Sequence, residues 1–182
     1  MNNADLVIAL LLLGGFVVGF LQGSPRALIA LAGWALTFVL AAQLRAPVGD
    51  FLSRTATPYA AGYARMLGFG IVFLVTLAAV FVGIAVAYRD TRHLTRFTLA
   101  DELVGGLLGL LVMLLVLSSV IVVLDSYYAA GAAGGGDIGW ITDLDRSLAG
   151  SGIANAVRTS LIPVLGAVLD PLLPSTVRAV MR

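Results

Sequence analysis

Residues 103–124 read LVGGLLGLLVMLLVLSSVIVVL, an unbroken apolar run without one charged side chain. A bilayer core about 30 Å thick needs roughly 20 such residues in a helix, so this stretch alone is long enough to span one. Three more runs repeat the pattern: 6–22, 27–44 and 66–88, the first two divided by Gln22, Gly23, Ser24 and Pro25. The 66–88 run is long enough by itself, whereas 6–22 and 27–44 need their polar ends at headgroup level. Inside the runs the polar residues are mild, such as Thr37, Thr76, Ser118 and Ser119. Every Arg, Asp and Glu lies at the end of a run or in a connection. A cost of about 2.5–3.5 kcal/mol for a charge at mid-membrane imposes that distribution.

Composition points the same way. Of 182 residues, 60% are hydrophobic and 12% charged, and the mean hydropathy is +1.03. A soluble domain carries about 25% charged residues. An ordinary cytosolic enzyme, a nucleic-acid binder and a disordered segment are thereby excluded. The chain has no Cys and a single His, His93, which leaves no thiolate chemistry, disulfide, His cluster for a metal or general-base network. All basic residues are Arg, and a net charge of +1 selects no acidic partner. Residues 1–5 contain no Lys or Arg, the wrong start for a cleaved secretory signal, so the first run reads as a retained span.

The expected fold is an all-α integral membrane protein: four transmembrane helices over 1–128, a Gly/Ala-rich linker over 129–140, and a tail over 141–182. In the tail, Ile153, Val157, Leu161, Val164, Leu165 and Val168 recur at helical spacing. Pro163 is expected to kink or restart that helix. The segment reads as an amphipathic helix on the membrane surface. A fifth span is the alternative, opposed by the interruptions at Arg158, Pro163 and Asp170. The stretch from Arg45 to Arg65, with Pro47, Gly49, Pro58 and Gly62, reads as a loop or surface helix. Counting Arg in short connections places Arg26 and the Arg89, Arg92, Arg96 loop in the cytoplasm, with both termini outside.

Two patterns single out candidate residues. Gly15, Gly19 and Gly23 repeat every fourth residue, as do Gly105 and Gly109. Small residues so spaced form a groove where another helix approaches closely, either within the chain or from a second copy or another membrane protein. Charges mark the boundaries: Asp5 and Asp125 on one face, Arg26 and Asp101 on the other. An Arg–carboxylate pair there would pin helix ends. A proton or ion path is the competing use, but no acid sits near the midplane. Tyr59, Tyr63, Tyr88, Tyr127, Tyr128 and Trp140 suit an interfacial aromatic belt, and Trp34 a packing anchor. Gly131–Gly136 lacks the Lys and the preceding strand of a phosphate loop. No nucleophile constellation or metal motif appears, so no catalysis and no cofactor are expected. The expected partners are the lipid bilayer and a second copy or other envelope proteins.

Several of these stretches together resemble the colicin V production protein family of bacterial inner-membrane proteins. Asp5 opens the first helix as in that family. Gly23, Arg26 and Leu28, with Trp34 following, resemble its Arg-Gly-x-x-Arg-(Glu)-x-Leu turn. Asp101, Gly105 and Gly109 resemble its Asp-Arg-x-x-Gly-x-x-x-Gly element. Leu124-Asp125-Ser126 is similar to the end of its fourth helix, and Leu161-Ile162-Pro163 to its tail motif. Gln22, Ala27, Glu102 and Val112 depart from the family pattern, at positions where Arg or an acid is common. The resemblance implies a four-span, multi-pass inner-membrane protein associated with colicin V production or export and with envelope homeostasis. Some relatives carry the module fused to an extracytoplasmic serine protease domain, which agrees with a C-terminus outside. The expected function is therefore non-enzymatic, exerted through helix-mediated partner contacts. The alternative is a small transporter or channel subunit working as an oligomer, with Asp5, Asp125 and Arg65 at its entrance.

Overall fold

The computed structural model of the chain describes residues 3–55, 61–87, 99–129, 139–174, 177 and 181. His93, Tyr59, Tyr88, the Arg89–Arg96 connection and most of the 129–140 linker lie outside the described residues. The helices are α1 (Asn3–Gln22), α2 (Ser24–Thr55), α3 (Ala61–Ala87), α4 (Leu99–Ala129), α5 (Gly139–Ala149) and α6 (Gly152–Leu169). No strand occurs among the described residues.

The turn between α1 and α2 is one residue long. Gly23 has φ +75°, a left-handed conformation that suits a residue without Cβ. Its N–H donates to the Gly19 carbonyl at 3.0 Å, and its own carbonyl accepts from the Ala27 N–H at 3.3 Å. One residue thus ends α1 and starts α2. Pro25 falls in the first turn of α2, where a missing N–H removes nothing.

In the bundle α1 packs on α4, α4 on α2, and α2 on α3. The apolar stretches of α2 and α4 are each 33% buried, against 17% for α1 and 11% for α3, so α2 and α4 form the inner pair. Between α2 and α3 runs an aromatic ladder: Trp34 stacks on Phe38 at 5.5 Å, Phe38 meets Phe69 edge-on at 5.9 Å, and Phe69 stacks on Phe73 at 5.7 Å. Facing outward, Leu10, Leu74 and Val82 are 59%, 65% and 61% exposed, along with most large side chains of α1 and α3. Such an apolar exterior is stable only against lipid, and the chain is a multi-pass membrane protein.

α2 runs on where a loop or surface helix was expected. It continues through Pro47 and Gly49 to Thr55, 32 residues in all and about 48 Å long. Pro47 offers no N–H to the Gln43 carbonyl, yet the helix holds because α3 lies against it. A Cβ at Gly49 would sit 2.6 Å from the Arg65 Cα, and one at Gly68 would sit 2.8 Å from the Gly49 nitrogen. Arg65 Nε also donates to Asp50 Oδ1 at 3.2 Å.

Five helices are long and apolar enough to cross a membrane by length and composition, the fifth being Gly152–Leu169. Hydrogen bonds tie α6 and its flanks to three other helices. Just before its start, the Ser151 hydroxyl donates to Asp5 Oδ1 at 2.6 Å. Arg158, in its first half, donates to Asp125 at 2.8 Å. Just past its end, the Leu172 carbonyl accepts from Gln43 Nε2 at 2.8 Å. Measured along their helices, Asp5 lies about 26 Å from Gln22, Gln43 about 28 Å from Ser24, and Asp125 about 36 Å from Asp101. All three anchors are therefore at the end away from the Gly23 turn, hereafter the terminal face. Pro163 is accommodated by a π-helical turn over Val157–Leu161, in which the Ile162 N–H reaches back to the Val157 carbonyl. Beyond α6 the chain returns, and Met181 packs against Gly166, where a Cβ would sit 2.9 Å from the Met181 carbonyl oxygen.

With no native Cys, single-cysteine labelling reads this arrangement directly. Asn155→Cys and Leu172→Cys should react with an impermeant maleimide from the same side of the membrane as Ser53→Cys. Labelling of Leu172→Cys and Asn155→Cys from opposite sides would mean that α6 crosses.

Candidate functional site

The glycine stripes of α1 and α4 face each other within one chain. A Cβ at Gly15 would lie 2.9 Å from the Gly109 carbonyl oxygen, and one at Gly19 would lie 2.8 Å from the Gly109 Cα. From the other side, a Cβ at Gly105 would lie 2.7 Å from the Gly23 carbonyl carbon, and one at Gly109 would lie 2.8 Å from the Gly19 Cα. Real Cβ contacts essentially never fall below 3.0 Å, so these four positions admit only glycine in this packing. The Phe16 ring lies on Gly106, where a Cβ would come within 2.7 Å of it. The backbones touch without intervening side chains, a contact that lipid tails cannot replace.

Next to this seam the Ser24 hydroxyl donates to Asp101 Oδ1, tying the start of α2 to the start of α4. Arg26 was expected to share that face with Asp101, and both lie at the turn end of the bundle. At the terminal face two polar clusters meet α6. Asp5 Oδ1 accepts from the Ser151 hydroxyl and, at 3.2 Å, from the Ile153 N–H. Ser151 Oγ in turn accepts from the Ala154 N–H at 3.1 Å, so a carboxylate from α1 and a fully buried serine jointly cap α6. Arg158 spans two acids, donating to Asp125 of α4 at 2.8 Å and Asp145 of α5 at 3.4 Å. Their side chains are between 23% and 32% exposed, well out of bulk water.

Asp5 and Asp125 share a face, as expected from the chain order. Their partners had not been identified in the sequence. In the sequence Arg158 is an interruption of an apolar run, and Ser151 and Asp145 carry no signal of their own. An Arg in a half-buried helix demands a nearby carboxylate, but nothing local in the sequence says which one. Leu161 closes the π turn, half-buried, and Pro163 follows it on the exposed side. Gly33, Gly49 and Gly68 form a second set of close approaches, between α2 and α3; at Gly68 a Cβ would lie 2.9 Å from the Arg45 carbonyl oxygen. A lone glycine inside an apolar helix costs about 1 kcal/mol relative to Ala, which is the only trace such a contact leaves in a sequence.

The residues suggested for a transport entrance are not gathered together. Arg65 pairs with Asp50, Asp125 with Arg158, and Asp5 with the start of α6. Two apolar cavities, of about 440 and 260 Å³, are lined by none of them. Inside the bundle the Trp34 indole N–H donates to Ser119 Oγ at 3.1 Å. The Ser118 and Ser119 hydroxyls donate to the carbonyls of Leu114 and Leu115, each at 2.9 Å. These two hydroxyls are thus turned onto their own helix. Among the described residues no three His, Cys, Asp or Glu side chains are grouped to hold a metal.

A family model described as colicin V production protein matches residues 4–143. The match includes Asp5, both glycine stripes, Arg26, Asp101 and Asp125, and stops before Ser151 and Arg158. No curated protein and no solved structure matches the chain.

Removal of Arg158 leaves Asp125 and Asp145 facing each other without a cation. Arg158→Ala should destabilise the docking of α6 by about 1–3 kcal/mol, between the values for exposed and buried pairs. Hydrogen exchange over 152–169 should rise accordingly. Arg158→Ala combined with Asp125→Ala should recover part of the loss. Exchange that is unchanged in Arg158→Ala would show that the pair does not hold α6.

Proposed function

The chain belongs to the colicin V production protein family, and on that premise we propose that it is a non-enzymatic module of the bacterial inner membrane. Membership supports a role in colicin V production. In this reading the protein acts in colicin V production or export and in envelope homeostasis by holding a partner-binding platform at the membrane surface. The observation that carries it is the docking of α5 and α6 on the terminal face through Asp5, Asp125 and Arg158. That platform presents Asn155, Thr159 and Ser160 outward, a polar surface fit for contacts with other envelope proteins. The seam of Gly15, Gly19, Gly23, Gly105 and Gly109 supports it from below by setting the register of α1 on α4.

The orientation that goes with this reading puts Arg26, Arg89, Arg92 and Arg96 in the cytoplasm. In this reading α6 stays on the terminal face, and both termini lie on the same side, outside the cytoplasm. A reporter fused to the C-terminus that reads cytoplasmic would reverse the assignment.

Gly105→Leu and Gly109→Leu force α1 and α4 apart at backbone contacts and should cost at least about 1–3 kcal/mol each. Cells carrying either variant should lose colicin V output, and crosslinks from Ser160→Cys to envelope proteins should disappear. Normal output with an unchanged crosslinking pattern would count against the proposal.

A further inference from the structure

The crossing of α2 over α3 at the terminal face brings two arginines together. A Cβ at Gly68 would lie 2.9 Å from the Arg45 carbonyl oxygen, and one at Gly49 would lie 2.7 Å from the Arg65 Cγ. Glycine on both helices lets the backbones close in until the charges of Arg45 and Arg65 repel each other. Arg45 is half-buried and Arg65 exposed. Residues 43–67 hold one acid, Asp50, against Arg45, Arg54 and Arg65. Asp50 accepts from Arg65 Nε at 3.2 Å, and the two terminal nitrogens of Arg65 have no hydrogen-bond partner among the described residues. With Arg54 about 14 Å further along α2 than Arg45, this stretch leaves one positive charge in excess at the crossing.

Depth narrows what can answer that charge. Arg45 is the first residue after the apolar run 27–44, and Arg65 the last before the run 66–88. Along α2, Arg45 lies about 32 Å from Ser24 and Gly49 about 38 Å. The hydrocarbon core is about 30 Å thick, and the bilayer with its headgroups about 40–45 Å. The pair therefore stands in the headgroup layer, at the depth of the phosphates. On the core side of it, Leu36, Leu40 and Leu44 are exposed at successive turns of α2, a lipid-facing stripe that ends beside Arg45. Guanidinium groups offer paired N–H donors that match phosphate oxygens. One singly charged phosphodiester, together with Asp50, balances the charges of Arg45 and Arg65.

We propose that Arg45 and Arg65 form a site for the phosphate of an anionic phospholipid in the leaflet on the terminal side, its acyl chains lying along Leu36, Leu40 and Leu44 of α2. The glycine crossing holds the two arginines together, which sets the site apart from the general attraction of a basic surface for anionic lipid. It stands or falls independently of any role in colicin V production.

Fluorescence quenching tests it with the full chain in phosphatidylcholine vesicles. The chain has no Cys, so a bimane on Leu44→Cys reports on the site alone. Phosphatidylglycerol and phosphatidylcholine, each with a nitroxide high on one acyl chain, serve as quenchers. The phosphatidylglycerol probe should quench Leu44→Cys at about tenfold lower mole fraction than the phosphatidylcholine probe. At Val7→Cys, exposed on α1 in the same leaflet, the two should quench alike. Arg45→Gln combined with Arg65→Gln should abolish the preference. Asp50→Asn keeps both arginines, removes the competing carboxylate and should strengthen it. Unlabelled phosphatidylglycerol should restore the fluorescence. Equal quenching by the two probes at Leu44→Cys would overturn the proposal, as would a preference that survives loss of both arginines or one that Asp50→Asn leaves no stronger. Restoration by inorganic phosphate would overturn it too, by showing a site for a soluble anion.

Discussion

In lipid, two apolar helices gain nothing by hiding from their solvent, because the acyl chains are as apolar as they are. Association has to come from contacts that lipid cannot make. Here the contact is glycine backbone on glycine backbone, Gly15 and Gly19 against Gly105 and Gly109, with Gly23 at the end of the row. The seam does more than join two helices. By fixing how far α4 slides along α1, it sets Asp101 beside Ser24 at one end of the bundle and brings Asp125 to the same face as Asp5 at the other. Both anchors of the first half of α6 depend on that register.

A division of labour follows along the membrane normal. The middle of the bundle is an apolar core in which aromatic rings interlock and each serine hydroxyl is returned to its own helix. Half-buried charge is concentrated at the terminal face, where Arg158 reaches two carboxylates and Asp5 caps a helix from another part of the chain. Among the described residues no charged side chain lies in the middle of α1 to α4.

Much of this could be read from the residues. The four apolar runs stand out because lipid tolerates so few alternatives, and the five glycines stand out because their spacing repeats on one face. Other features left weaker traces. Pro47 and Gly49 have the composition of a loop, and only the packing of α3 alongside keeps them helical. Arg158 and Asp125 are 33 residues apart, and a pair at that distance is visible only when the helices that carry it have been placed. Gly33, Gly49 and Gly68 do not repeat at a fixed spacing, so their role against α3 and α2 depends on a crossing that no local pattern describes.

The anchors of α6 also bear on how the molecule comes to be made. Its contacts are drawn from α1, α2 and α4, through Asp5, Gln43 and Asp125, and it lies behind all of them in the chain. Since synthesis runs from the N-terminus, the segment leaves the ribosome when its three docking points have already been translated. It can settle only once those helices stand in their final order. A bundle inserted with one of these helices misplaced would leave the tail short of a docking point.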